Sequence, residues 1–410
     1  MGGLRVLRPV SPMVATGFYT RDTARNPMET VRPYGRESDD CKTLCALSPS
    51  RPALGDQMNL APFGGRRALR AATVALGIAS VLAVATACSS SSGTPAASSG
   101  GTTPLTLQTS WIPLVQFGGS YVAEKEGYYT NNGVDVTILP GGPDVDSMAA
   151  VESGQADIGM GNADTVAQAN ANGADLVIVA AGFQKNPLAI LSTSDKPITT
   201  PADMEGKKIG VPTGDQAAQD AVVKANNLDA SKIISVPVGF DVAPLVSGEV
   251  DGLWVFYSEQ PIAYEAAAGK PGVTMLTADY GLDVYAQVYA VKRSTLEDAT
   301  KKTAIEGFLK GEIEGWQNYV KDPTEAVELT VNDYAKDGGL TIEEQTKQAA
   351  LQMDLLVTDE TKANGLLWIS DDGITKNLAT LESLGITGAD KSLFDTSLLT
   401  DIYQGKSSIG

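Results

Sequence analysis

From Leu105 onward, short apolar runs alternate with amphipathic stretches, and each joint carries Gly, Pro or Asn. Short apolar runs bounded by turn residues read as buried strands, and the longer segments with helical spacing read as helices. The pattern predicts strands over Leu105–Trp111, Val134–Leu139, Asp157–Gly161 and Leu176–Ala181, with helices at Gly119–Glu126, Val145–Ser153 and Thr165–Asn172 between them. A second series runs Lys207–Val211, Gln216–Ala225, Ile233–Val238, Val242–Ser247 and Gly252–Tyr257. Strand–helix alternation of this kind implies an α/β fold with parallel-rich sheets flanked by helices. Two extended stretches, Leu188–Thr193 and Tyr285–Arg293, flank the second series, and the chain from Thr295 onward is mainly amphipathic helix. One lobe inserted into another by two hinge crossings follows from that order. The expected division is lobe 1 over 104–191 and 287–410, and lobe 2 over 192–286. Two such lobes can close on a ligand in the cleft between them.

The N-terminal quarter has a different pattern. Arg66-Arg67-Ala68-Leu69-Arg70 precedes an uncharged apolar run from Ala71 to Ala87, then Cys88. A positive region, a short apolar core and small residues before a break make a secretory signal over 58–87. Ala85-Thr86-Ala87-Cys88 resembles a bacterial lipobox, with Ala85 where Leu is usual, which implies lipidation of Cys88. The alternative is an uncleaved anchor, but the run is 17 residues long, short against the roughly 20 that span a bilayer. The Arg66-Arg67 pair is compatible with twin-arginine export. Ser, Gly, Thr, Pro and Ala fill the next stretch, so 88–103 is expected to be a flexible tether. Residues 1–57 precede the signal and Met58 sits just before it, so 1–57 reads as a non-native extension. Cys41 and Cys45 fall in that extension, and two thiols without partners make a poor metal site.

Composition narrows the chemistry. The chain contains no histidine, which removes His-liganded zinc, Ser-His-Asp and Cys-His catalysis together. Three cysteines cannot build a disulfide framework over 410 residues. No metal site and no cofactor are expected. A formal charge of −18 leaves no cationic excess to neutralise phosphates, so nucleic acid is not an expected partner. From Cys88 onward Arg293 is the only arginine. Carboxylates, sulfonates and phosphates are most often gripped by a guanidinium fork, so a tightly held anion is disfavoured.

Open α/β sheets bind ligands beyond the carboxyl ends of their strands. That rule selects Trp111 after the first strand, Asn162 and Asp164 after the third, and Phe183 and Gln184 after the fourth. In the second lobe it selects Thr213, Gly214 and Asp215 at a helix start, then Phe240, and then Trp254, Tyr257 and Glu259. Asp215 can equally be a helix cap and Trp254 a core residue. Glu259 can accept from an amino-heterocycle or lie on a solvated helix start. An aromatic sandwich between Trp111 and Tyr257 is the expected way of holding a flat ligand.

Five motifs in order carry a family resemblance. They are Trp111-Ile112-Pro113 with Gly119-Ser120-Tyr121-Val122-Ala123-Glu124-Lys125-Glu126-Gly127-Tyr128-Tyr129, then Ser153-Gly154-Gln155-Ala156-Asp157-Ile158-Gly159, then Asp203-Met204-Glu205-Gly206-Lys207-Lys208-Ile209-Gly210-Val211, then Ser247-Gly248-Glu249-Val250-Asp251-Gly252, and finally Gly315-Trp316 with Asp322-Pro323-Thr324-Glu325-Ala326-Val327. Over Leu105–Phe394 the chain resembles bacterial substrate-binding proteins for thiamine pyrimidines, aliphatic sulfonates and related compounds. The resemblance implies a two-lobe, periplasmic-binding-protein-like fold of type II, with no catalytic residues. It also implies an extracytoplasmic monomer, lipid-anchored to the membrane through Cys88, that hands a small-molecule ligand to an ABC permease and its ATPase. A thiamine-precursor pyrimidine is the first expected ligand, with riboflavin, taurine or an aliphatic sulfonate as alternatives. Eukaryotic relatives of this fold look like thiamine-pyrimidine synthases that consume one of their own histidines, and this chain has none to give.

Overall fold

The computed structural model describes residues 101–409. The expected signal, Met58, the lipidated Cys88, Cys41, Cys45 and most of the tether lie outside the described residues. Among the described residues, ten strands form two sheets. β1 (Thr103–Gln108), β2 (Val134–Leu139), β3 (Ile158–Gly161) and β4 (Leu176–Phe183) build the first sheet with the late strand β10 (Ala286–Lys292). β5 (Leu188–Ser192), β6 (Lys208–Pro212), β7 (Ile234–Val238), β8 (Gly252–Phe256) and β9 (Val273–Leu276) build the second. The orders are β2-β1-β3-β10-β4 and β7-β6-β8-β5-β9.

Each sheet is mixed in the same way. β1 is parallel to β2 and β3, and β6 is parallel to β7 and β8. One strand in each sheet is antiparallel to both its neighbours: β10 between β3 and β4, and β5 between β8 and β9. These two strands come directly from the other lobe. A strand that starts at the cleft must run away from it, against strands that end there. The expected parallel-rich α/β architecture holds, and the antiparallel members are the strands that follow the two crossings. The second sheet begins at Leu188, so the outward crossing falls at 184–187 and the return near 281–285.

Three details differ from the sequence pattern. β1 stops at Gln108, so Trp111 lies in the following loop rather than ending the strand. There the Gln108 amide donates to the Leu139 and Pro140 carbonyls, closing the sheet edge before Pro113 turns the chain. β9 is too short to announce itself by periodicity. β1 also starts at Thr103, the last residue of the expected tether.

The first lobe packs its sheet under the long helix Ala299–Lys321, which meets the helix Gly118–Lys125 along a glycine contact. A Cβ on Gly119 would overlap the Trp316 indole, and one on Gly315 would overlap the Gly119 carbonyl. This close approach accounts for the Gly-Trp motif. Within the interface Glu312 is fully buried. Ser120 Oγ (3.1 Å), Tyr129 Oη (2.5 Å), Tyr289 Oη (2.8 Å) and Trp316 Nε1 (3.0 Å) all donate to its carboxylate. Burial raises the Glu312 pKa and these donors oppose the rise. Among the described residues, no helix is long and apolar enough to cross a membrane.

Candidate functional site

Between the two sheets lies a cavity of about 770 Å³. Its walls come from the strand ends and the helix starts that follow them, because that is where backbone groups and side chains are free to face the cleft. Four helices begin here: Ser147–Ser153 after β2, Ala163–Ala171 after β3, Gln216–Ala225 after β6, and Gln260–Ala268 after β8. The first two belong to one lobe and the other two to its opposite.

Of the twelve expected residues, eight line this cavity: Trp111, Asn162, Asp164, Gly214, Asp215, Phe240, Trp254 and Glu259. Four do not. Phe183 is buried in the first core, its ring 6.3 Å from that of Phe256. Gln184 braces the outward crossing, donating from Nε2 to the carbonyls of Ala181 (2.8 Å) and Trp368 (3.1 Å). Thr213 is exposed and sits outside the wall, while Gly214 takes the turn with φ +104°. Tyr257 turns to the helix Ile342–Leu356, where its hydroxyl donates to Asp354 at 3.2 Å. The expected Trp111–Tyr257 sandwich is therefore not formed. Trp111 instead meets Phe240 edge to face across the cleft mouth, with centroids 5.7 Å apart and planes at 68°. Phe240 is 52% exposed, and this contact joins one lobe to the other.

Trp254 is a wall rather than a polar contact. It is almost wholly buried, and its indole N–H donates to Gln219 Oε1 at 3.0 Å. Asn162 is held by its neighbours: its Oδ1 accepts from the Gln287 backbone N–H at 3.4 Å, and its N–H donates to Thr165 Oγ1 at 3.0 Å. Gln287 adopts φ +51° to present that N–H, a left-handed conformation uncommon for a residue with a side chain.

The carboxylates set the electrostatics. Asp146, Asp164, Asp215 and Glu259 line the cavity, and no lysine or arginine does. Asp215 and Glu259 occupy N-cap positions, yet neither side chain caps its helix. The helix-cap reading of Asp215 is thus replaced by a cavity-facing one. Asp164 is half-buried as a residue, but its Oδ1 is sealed from solvent and has no hydrogen-bond partner. Burial raises the Asp164 pKa against the pull of the Asp164 and Thr165 backbone N–H groups. Burial, helped by the negative charge of Asp164, pushes Asp215 up to about 6. Burial alone raises Glu259. Arg293, the arginine singled out in the sequence, is away from the cavity: it donates to Asp175 Oδ1 (3.0 Å) and the Ser392 carbonyl (3.0 Å). Among the described residues, no group of three or more acidic or thiol side chains is placed to hold a metal ion.

Gln168 and Asn172 line the same wall, four and eight residues after Asp164 on one helix. Their helical spacing is a signal that sequence reasoning could have used. Gln116 and Asn186 also line the cavity, and no local pattern marks them.

Comparison with known proteins places this cleft in context. Residues 115–326 match the family model described as NMT1/THI5 like. The chain is 25% identical over 256 residues to the riboflavin-binding protein RibY of Chloroflexus aurantiacus, covering 60% of this chain and 72% of the relative. It is 22% identical over 227 residues to the formylaminopyrimidine-binding protein of Halalkalibacterium halodurans, covering 54% and 68%. A 4-amino-5-hydroxymethyl-2-methylpyrimidine phosphate synthase of Schizosaccharomyces pombe is 25% identical over 153 residues, covering 37% of this chain and 44% of that enzyme. Among solved structures, the ligand-binding component of an ABC-type import system from Staphylococcus aureus superposes with a TM-score of 0.54 at 14% identity, covering 75% of this chain and 100% of that one.

Proposed function

The chain belongs to the NMT1/THI5-like family, and from that premise we propose that it is the substrate-binding component of an ABC importer. It captures a small nitrogen heterocycle between its two lobes, with a thiamine-precursor pyrimidine as the first choice. The observation that carries this reading is the 770 Å³ cavity, walled by aromatic and hydrogen-bonding side chains from both lobes and by no basic residue. A flat heterocycle offers faces to Trp111 and Phe240 and N–H donors to the carboxylates. A sulfonate or taurine would meet four acidic side chains and no cation. Two of the relatives bear the names of binding proteins, for riboflavin and for formylaminopyrimidine. The relative named as a synthase covers a smaller part of the chain. The absence of histidine from all 410 residues also weighs against a reaction that consumes one.

In this reading the protein works as a monomer outside the cell membrane, tethered through lipidated Cys88, and delivers its ligand to a permease driven by an ATPase. The RibY relative, which aligns over more of the chain than the pyrimidine-binding one, makes riboflavin the second candidate. Calorimetry of the purified full chain with formylaminopyrimidine, 4-amino-5-hydroxymethyl-2-methylpyrimidine, riboflavin and taurine tests the reading. The expected result is micromolar or tighter binding of a heterocycle, about −8 kcal/mol or better. Tight binding of taurine with no response to any heterocycle would overturn it.

A further inference from the structure

We infer that the cleft takes its ligand as an organic cation, clamped between Asp164 of one lobe and Asp215 of the other. The inference rests on the binding-protein reading above and names the charge class that such a site selects.

Four helix starts face the cavity, and each carries a carboxylate: Asp146, which caps Ser147–Ser153 by accepting from the Ala149 N–H, Asp164 in the first turn of Ala163–Ala171, Asp215 before Gln216–Ala225, and Glu259 before Gln260–Ala268. Helix N-termini ordinarily favour an anionic ligand. Here the chain has put its own anions there, and a bound anion would face repulsion from each of them. Neither Asp215 nor Glu259 is spent on capping. Asp164 lines the cavity, and its enclosed Oδ1 has no donor. A buried, unmatched carboxylate is costly, so a site that keeps one is complementary to positive charge. The lobes add a second reason. Asp164 and Asp215 line the cavity from opposite lobes, and the negative charge of Asp164 helps to raise the Asp215 pKa. Their repulsion opposes closure, and a cation between them reverses its sign.

Aromatic rings identify the kind of cation. Trp111, Phe240 and Phe256 border the cavity and offer faces to a delocalised, planar charge. The lack of a three-ligand acidic group among the described residues disfavours a bare metal ion. An amidinium or a ring-protonated aminoheterocycle fits both constraints. No lysine or arginine lines the cavity to compensate the pair. Asp146 and Glu259 are the remaining titratable groups in the wall. On the packed elements behind it, Lys185 already pairs with Asp279 and Lys376 with Asp372. Asp215 holds a proton below about pH 6, so a cation must displace that proton and its affinity falls as the solution is acidified.

A matched planar series tests this directly: benzamidine as cation, benzamide as neutral isostere and benzoate as anion. Calorimetry and ligand-observed NMR are run on the full chain, the Asp164→Asn and Asp215→Asn variants, at pH 7.5 and pH 5.0. Thermal unfolding establishes that each variant is folded. The expected result is benzamidine binding at least tenfold tighter than benzamide at pH 7.5, with no benzoate binding. That preference falls about tenfold at pH 5.0 and is lost in either variant. Equal or tighter binding of benzamide or benzoate, a cation preference that survives both variants, or a silent benzamidine overturns the inference. If the heterocycle panel above still binds, only the charge assignment fails. If neither panel binds, the importer reading fails with it.

Discussion

Two buried acidic settings in this protein differ in how they are satisfied. Glu312, inside the first lobe, receives four donors from Ser120, Tyr129, Tyr289 and Trp316, and it does not line the cleft cavity. Asp164 and Asp215, from opposite lobes, both line the cavity of about 770 Å³, and Asp164 keeps one oxygen without any donor. A saturated carboxylate is a piece of structure that ties a helix to a sheet. In the proposed reading an unsaturated carboxylate on a cavity wall is a site, because its missing partner comes from outside the chain. The two settings therefore respond oppositely to substitution.

The largest expected effect is at Glu312. Truncation by Glu312→Ala orphans four donors and leaves a void, and chemical denaturation should show a loss of about 4 kcal/mol or more. A loss under about 1 kcal/mol would mean that the four hydrogen bonds do not anchor the lobe. Next comes Asp215. Its pKa rises from 3.8 unfolded to about 6 folded. A carboxyl group raised in this direction favours the fold below its unfolded pKa, and the contribution disappears as pH climbs through about 6. The change is on the order of 3 kcal/mol. Stability measured against pH should fall between about pH 4 and pH 6 in the wild type, and Asp215→Asn should flatten that stretch. An unchanged slope in the variant would place Asp215 in solvent.

The Glu312 region was hardly legible in the sequence. Lys310-Gly311-Glu312-Ile313-Glu314 looks like an ordinary helix with a solvated charge. Its burial is decided by Tyr129 and Tyr289, which arrive from segments far along the chain. The cleft was more legible, because strand ends are local features: Asn162, Asp164, Asp215 and Phe240 follow directly from where the apolar runs stop. Tyr257 and Phe183 satisfy the same local rule and fail. Their side chains are taken by Asp354 and by the first core, partners that no local pattern reveals. Gln116 and Asn186 line the cavity through tertiary placement, which no local pattern records.

A smaller effect sharpens the contrast in packing. Gly315, within one turn of Glu312, has the Gly119 carbonyl where a Cβ would go. Gly315→Ala should cost about 1–3 kcal/mol by overpacking the two helices. A neutral result would show that they can move apart freely. The smallest effect belongs to Tyr257, whose half-exposed hydroxyl joins the lobes through Asp354. Tyr257→Phe should change ligand affinity by less than about threefold, since an exposed hydrogen bond outside the cavity lies at the low end of the usual range, about 0.5 kcal/mol. A tenfold loss would return Tyr257 to the binding surface.

The most direct measurement is thermal unfolding of ligand-free protein at pH 7.5, comparing Asp164→Asn and Asp215→Asn with Glu312→Gln. Each substitution removes one charge and keeps the shape. If the cleft carboxylates are held for a cation, neutralising either one relieves desolvation and repulsion, and the unfolding midpoint rises by several degrees. Glu312→Gln, which turns an amide N–H₂ toward four donors, lowers it. Midpoints that fall in all three variants alike would contradict the distinction between a carboxylate kept for the fold and a pair kept for a ligand.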